Sequence, residues 1–172
     1  IRGDDACFPV GRIFCVGRNY HAHAIEMGAP VNKATMQPFY FIKDTASLVE
    51  SGATLPYPPG TRDLQHEMEL VVALGAEGFR VTEADAAGMI FGYACGLDMT
   101  RRDLQLVARA AGRPWDLAKN FESAAVLSAI MPKAGPGVLR SGAITLQVNG
   151  LPRQSGDLEQ LIWSIPELIA DL

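Results

Sequence analysis

A chain of 172 residues with 48% hydrophobic content can bury one real core and is short for two, so a single domain is expected. A net charge of −4 and a pI near 5.3, with no basic cluster, exclude the electrostatic footprint of a nucleic-acid partner. No apolar run approaches the roughly 20 residues that span a bilayer, and Arg2, Asp4 and Asp5 stand where a signal peptide would be apolar, so a soluble cytoplasmic protein with no membrane partner is expected. Cys7, Cys15 and Cys95 form neither an even disulfide set nor a zinc spacing, which suits a reducing compartment. Each is expected to be a small buried residue.

In chain order, the β-branched and aromatic run from Arg12 to Gly17 reads as a buried strand. A short helix follows, capped by Asn19 and closed by Gly28. Pro38 to Lys43 reads as a second strand, and the prolines between Pro56 and Gly60 mark a surface connection. Gln65 to Leu74 alternates like a strand, with Glu67, Glu69 and Val71 on one face. Thr82 with Asp85 marks a helix start, and Phe91 to Asp98 a strand crossing the core. Thr100 is the expected N-cap of a helix from Arg101 to about Ala111, stopped by Gly112. A loop from Pro132 to Gly142 leads into Ala143 to Val148, where Asn149-Gly150 signals a hairpin. Ser164-Ile165-Pro166-Glu167 is a capping box that opens the last helix. Short strands mixed with short helices, lacking a strand-helix-strand rhythm, predict an α+β fold.

Glu67 and Glu69, at i and i+2, project from one face of the predicted strand. Close carboxylates repel, so either solvent exposure or a bound cation explains the pair. Asp98 terminates an otherwise apolar strand, where an acid is costly unless hydrogen-bonded or bound to a cation. An all-oxygen set of this kind favours a hard ion such as Mg²⁺ or Mn²⁺. His23 and Glu26, at i and i+3, allow the carboxylate to orient the imidazole as a general base; the same spacing also suits two unrelated surface residues. Lys119 lies among apolar residues, where its amine either stabilises an anion beside a metal or snorkels to the surface.

These pieces occur in one order: Val16-Gly17-Arg18-Asn19-Tyr20, His23 and Glu26, His66-Glu67-Met68-Glu69-Leu70, Gly92-Tyr93, Leu97-Asp98-Met99-Thr100-Arg101-Arg102-Asp103-Leu104-Gln105, and Trp115 to Lys119. The ordered set resembles the fumarylacetoacetate hydrolase family over nearly the whole chain. Asp5 to Pro9, Leu55 to Pro59 and Gln160 to Ser164 look most like its bacterial members that cleave fumarylpyruvate in gentisate breakdown. The resemblance implies layered β-structure, a homodimer, and Mg²⁺ or Mn²⁺ held by Glu67, Glu69 and Asp98. It also implies a water-activating dyad of His23 and Glu26, Lys119 beside the substrate, and Arg102 and Gln105 in the active-site segment.

The reaction it implies is hydrolysis of a carbon–carbon bond in an acylpyruvate, a small 2-oxo acid. His23 would take a proton from the attacking water, and Lys119 would stabilise the pyruvate enolate that leaves. For fumarylpyruvate the far carboxylate needs a cation, for which Arg18 is a candidate. Two rival readings are oxaloacetate decarboxylation or 2-oxo acid isomerisation on the same metal centre, and a non-catalytic metal-binding homologue. The sequence departs from the family at Asp44, where proline usually follows the lysine, and at Glu122 with Ala124-Ala125. Family members continue past the last helix into a strand and a Thr-Gly-Thr-Pro-like substrate loop, so the chain is expected to be one catalytic domain without that end.

Overall fold

The computed structural model describes residues 1–28 and 30–172. In chain order it contains β1 (Ile13–Gly17), α1 (His21–Glu26), β2 (Phe39–Lys43), β3 (Leu48–Glu50), β4 (Leu64–Gln65), β5 (Met68–Leu74), α2 (Glu83–Met89), β6 (Ile90–Asp98) and β7 (Thr100–Arg101). Then come α3 (Arg102–Ala110), α4 (Asp116–Lys119), β8 (Ala125–Leu127), β9 (Met131–Pro132), β10 (Ala143–Val148), β11 (Leu151–Asp157) and α5 (Ile165–Asp171). This is the α+β composition the patterning predicts. Among the described residues no helix is long and apolar enough to cross a membrane.

The chain divides into two compact units. The first comprises Ile1–Cys15, Phe41–Val71 and Ala94–Met131, and the second Val16–Tyr40, Val72–Tyr93 and Pro132–Leu172.

The first unit is organised by the sheet order β3-β8-β6-β5, in which β3 runs parallel to β8 and β8 antiparallel to β6. Side chains of β6 alternate between buried and less buried, so the strand presents one face to the core and ends with Asp98 on that face. Gly96 is required by this packing: a Cβ there would come within 2.7 Å of Val71 Cγ2. Met99, Phe121, Ala124 and Val126 form the core beneath, with Val49, Leu55, Leu64 and Leu97 around it. The proline-rich connection is tied down by Asp103, whose carboxylate accepts from Thr61 Oγ1 at 2.5 Å and from the Arg62 amide at 2.9 Å.

Two local expectations change here. The predicted strand from Gln65 to Leu74 is broken at His66-Glu67, because β4 leaves β5 to pair with β7. Thr100 does not cap α3: Arg101 holds the N-cap position without a side-chain capping bond, and the Thr100 hydroxyl donates to the Asp98 carbonyl and accepts from Lys119. Gly112 does end that helix, with φ of +61° just beyond the Ala111 cap. The cysteines also differ from expectation, since Cys7 lies in an irregular N-terminal segment and Cys95 on the outward side of β6, both exposed. Only Cys15 is partly buried.

In the second unit β10 and β11 form the predicted hairpin, with Asn149 and Gly150 both at positive φ as the tight turn demands. Ser164 and Glu167 complete the capping box of α5 in both directions, and Lys33 holds Glu167 at 2.7 Å. Ala24, Val31, Ile162 and Trp163 are the buried core. Asn19 is not the cap of α1, whose N-cap position is held by Tyr20 without a side-chain capping bond. Its amide instead spans Trp163, donating to the carbonyl at 3.0 Å and accepting from the N–H at 2.8 Å. Asn19→Ala would strand both Trp163 groups in a buried setting, and urea unfolding should register a loss of about 1–3 kcal/mol.

Candidate functional site

The acids are brought together by backbone pairing. The Asp98 amide donates to the Glu67 carbonyl at 2.9 Å, and Gln65 lies opposite Thr100 in the β4-β7 ladder, so the broken segment at Glu67 runs beside the end of β6. Glu69 follows as the second residue of β5.

Lys119, the last residue of α4, is 2% exposed and does not snorkel. Its Nζ donates to Glu67 Oε2 at 2.8 Å, Asp98 Oδ2 at 2.6 Å and Thr100 Oγ1 at 2.7 Å, which uses all three ammonium protons. Arg102, at the start of α3, pairs with Glu67 Oε1 at 2.5 Å. It also donates to Gln65 Oε1 at 2.9 Å and to Gln105 Oε1. Burial would raise the Glu67 carboxyl, but Lys119 and Arg102 outweigh it and hold it down to about 2.

Lys43, at the end of β2, was not among the site candidates in the sequence. Its Nζ lies 2.9 Å from Asp98 Oδ1 and donates to the carbonyls of Met99 and Lys119. The signal was available: like Asp98, it is an ionisable residue ending an apolar strand. Burial lowers the Lys43 ammonium against the opposing pull of Asp98, and raises the Asp98 carboxyl against the pull of Lys119 and Lys43. Cys15 completes the surroundings as an inert thiol, pushed up to about 12 by burial and the nearby Asp98.

The departure at Asp44 has a local explanation. Its N–H donates to Asn120 Oδ1 at 2.8 Å, a bond that a proline could not make. Its carboxylate accepts from the Ala46 amide at 2.8 Å and caps the following turn.

Glu69 differs from the other two acids. Among the described residues it has neither a hydrogen bond nor an ion pair, and burial with Glu67 and Asp98 nearby pushes it up to about 8. Asp98 Oδ1 is also buried without receiving a hydrogen bond, Lys43 facing it at ion-pair distance only. Among the described residues no group of three or more His, Cys, Asp or Glu side chains stands at metal-binding spacing. The Lys119 ammonium bridges Glu67 and Asp98. The donor set is all oxygen and includes one acid without a cation of its own, Glu69, which is the chemistry of a hard divalent ion such as Mg²⁺ or Mn²⁺.

Glu67, Glu69, Asp98, Lys119, Arg102 and Gln105 therefore all belong to the first unit, whereas His23, Glu26 and Arg18 belong to the second. His23 Nδ1 stands 3.6 Å from Glu26 Oε2, with side chains 36% and 78% exposed. Arg18 takes a left-handed backbone with φ of +59°, and its guanidinium lies 5.7 Å from the Phe39 ring centroid. Among the described residues its buried Nε has no hydrogen-bond partner.

Carboxylates on and beside the strands, interlocked with buried amines in this α+β setting, define a class. The chain belongs to the fumarylacetoacetate hydrolase family, matching the fumarylacetoacetate hydrolase C-terminal domain over residues 12–172. Among its relatives is a fumarylpyruvate hydrolase of Ralstonia sp, 56% identical over 146 residues, covering 85% of this chain and 76% of the relative. The mitochondrial oxaloacetate tautomerase of Arabidopsis thaliana is 40% identical over 159 residues, covering 92% and 70%. The fold is similar to the fumarylpyruvate hydrolase from Pseudomonas aeruginosa crystallised with Mn²⁺ and pyruvate, with a TM-score of 0.91 and 44% identity over 99% of this chain and 74% of that one.

Proposed function

We propose that this protein is a divalent-metal hydrolase that cleaves the carbon–carbon bond of an acylpyruvate, with fumarylpyruvate giving fumarate and pyruvate. The observation that supports this is the Lys119 ammonium bridging Glu67 and Asp98, with Glu69 near enough for both acids to push it up, in a chain 56% identical over 146 residues to a fumarylpyruvate hydrolase. The two units are read as parts of one catalytic domain, since the family match includes residues of both. Three free thiols suit a cytoplasmic enzyme. A homodimer in aromatic breakdown through gentisate completes the proposal.

Glu67, Glu69 and Asp98 would hold Mg²⁺ or Mn²⁺. When bound, the ion supplies Lewis-acid polarisation of the 2-oxo acid. Lys119 Nζ, whose three protons go to Glu67, Asp98 and Thr100 in the metal-free protein, would have a proton to donate to the enolate oxygen of departing pyruvate once either carboxylate turned to the ion, charge stabilisation of the kind most effective in a water-excluded site. Arg102 holds Glu67 ionised, and Gln105 holds Arg102. His23, with Nδ1 toward Glu26, keeps Nε2 free to take the proton of the attacking water. Arg18 offers a cation for the far carboxylate of a dicarboxylic substrate.

The test is turnover of a panel of acylpyruvates and oxaloacetate, with Mg²⁺ or Mn²⁺ and with a chelator. Fumarylpyruvate cleavage that disappears with the chelator is expected, and His23→Ala should lower it by about 10²–10⁴-fold without changing metal affinity. Cleavage that ignores the chelator would count against the metal assignment, and unchanged turnover in His23→Ala against the dyad. A second reading, favoured by the 40% identity to an oxaloacetate tautomerase, is an isomerase or decarboxylase on the same centre. It predicts action on oxaloacetate with fumarylpyruvate inert. Metal binding without any turnover would leave a non-catalytic homologue.

A further inference from the structure

We propose that Lys43 is a positioning residue of this site, its buried ammonium clamping the Asp98 carboxylate and the Lys119 backbone into register. An ammonium only 2% exposed is costly to bury, and here it has three partners: Asp98 Oδ1 at 2.9 Å, the Met99 carbonyl at 3.1 Å and the Lys119 carbonyl. All three belong to residues that carry the site's chemistry or directly follow one that does. Among the described residues no polar partner of Lys43 lies on an unrelated segment.

Helix α4 explains why such a clamp is needed. It spans four residues, too few to be stable alone, so the backbone of Lys119 must be held from outside. The end of β2 does this at consecutive positions: Lys43 binds the Lys119 carbonyl, and the Asp44 amide binds Asn120 Oδ1 at 2.8 Å. From that anchored backbone the Lys119 side chain reaches Glu67, Asp98 and Thr100. Lys43 thus grips both ends of the Lys119–Asp98 pair while its Nζ sits 5.6 Å from the centroid of the core ring of Phe121. Partners that orient groups at a metal site commonly matter nearly as much as the ligands.

The inference rests on the proposed reading for its catalytic readout, so the experiment includes readouts that do not. Lys43→Met and Lys43→Gln are compared with the wild type. Positioning predicts that Mn²⁺ affinity, measured by electron paramagnetic resonance titration, weakens by about tenfold. Removing a positive charge beside Asp98 would by itself strengthen it, so the sign separates the two roles. On fumarylpyruvate, kcat should fall by about 100-fold with KM little changed, as misplacement of catalytic groups would produce. In metal-free protein, hydrogen exchange should quicken in peptides covering 97–100 and 116–121 and stay unchanged in the β10-β11 hairpin.

Stronger Mn²⁺ binding, or unchanged exchange in those two peptides, would overturn the proposal. So would failure of both variants to fold, which assigns Lys43 to stability alone. If the wild type turns over none of the panel, the proposed function falls while Mn²⁺ affinity still decides Lys43. If the wild type binds no Mn²⁺ either, the exchange comparison decides it.

Discussion

Lys119→Met is expected to destabilise the metal-free protein by about 3–5 kcal/mol, the usual loss when one partner of a buried ion pair is removed. The substitution keeps the aliphatic stem and deletes three donors, leaving Glu67 Oε2, Asp98 Oδ2 and Thr100 Oγ1 without their shared ammonium. Arg102 and Lys43 still face one oxygen of each acid, which places the expectation at the low end of that range. Urea unfolding with a chelator present measures it. Saturating Mn²⁺ should return about 2.7 kcal/mol at 100 times its Kd, if the ion binds only the folded state. Turnover should be lost in either condition. A loss below about 1 kcal/mol, typical of an exposed pair, would contradict the burial of this network.

Glu69 sets the second large effect, a stability that declines with pH in the metal-free protein. Its folded carboxyl is pushed up to about 8 from an ordinary 4.5, so between those values the folded state keeps a proton that the unfolded chain releases. Stability then falls as pH rises through that window, by at most about 1.4 kcal/mol per pH unit and about 5 kcal/mol in all. The penalty is absent below the unfolded value and complete above the folded one. Glu69→Gln should flatten this slope, and so should Mn²⁺, because a bound cation favours the ionised carboxylate. Equal slopes for wild type and Glu69→Gln, measured by unfolding from pH 5 to 8 with a chelator, would assign the effect to another group.

Much of the local structure was legible in the residues themselves. Capping chemistry marked α2 and α5, Asn149-Gly150 marked the hairpin, and apolar patterning marked β1, β2 and β6, although β1 is not the buried strand expected, since its Phe14 is exposed. The two misplaced caps share one cause. Asn19 and Thr100 carry the right chemistry to cap a neighbouring helix, but Trp163 and Lys119, both distant in sequence, claim their side chains instead. The break at His66-Glu67 was hidden for a related reason, since alternation says nothing about a strand that changes partners. Cysteine exposure likewise depended on which face of β6 turned outward.

The acids show where the division falls. Sequence alone marked Glu67 and Glu69 as a close acidic pair, either exposed or cation-bound, and Asp98 as a costly acid ending an apolar strand, and the ordered motifs identified the family. It left open whether Lys119 served the site or the surface, and it offered no role for Lys43. Only the tertiary structure decided which charges meet: Lys119 reaches Glu67 from 52 positions away and Asp98 from 21, while Lys43 closes on Asp98 from another strand. It also left Glu69 without a cation of its own among the described residues. The physical reason is range. Propensity and periodicity act over a few residues, whereas the pairing and desolvation of a charge depend on segments that folding alone brings together.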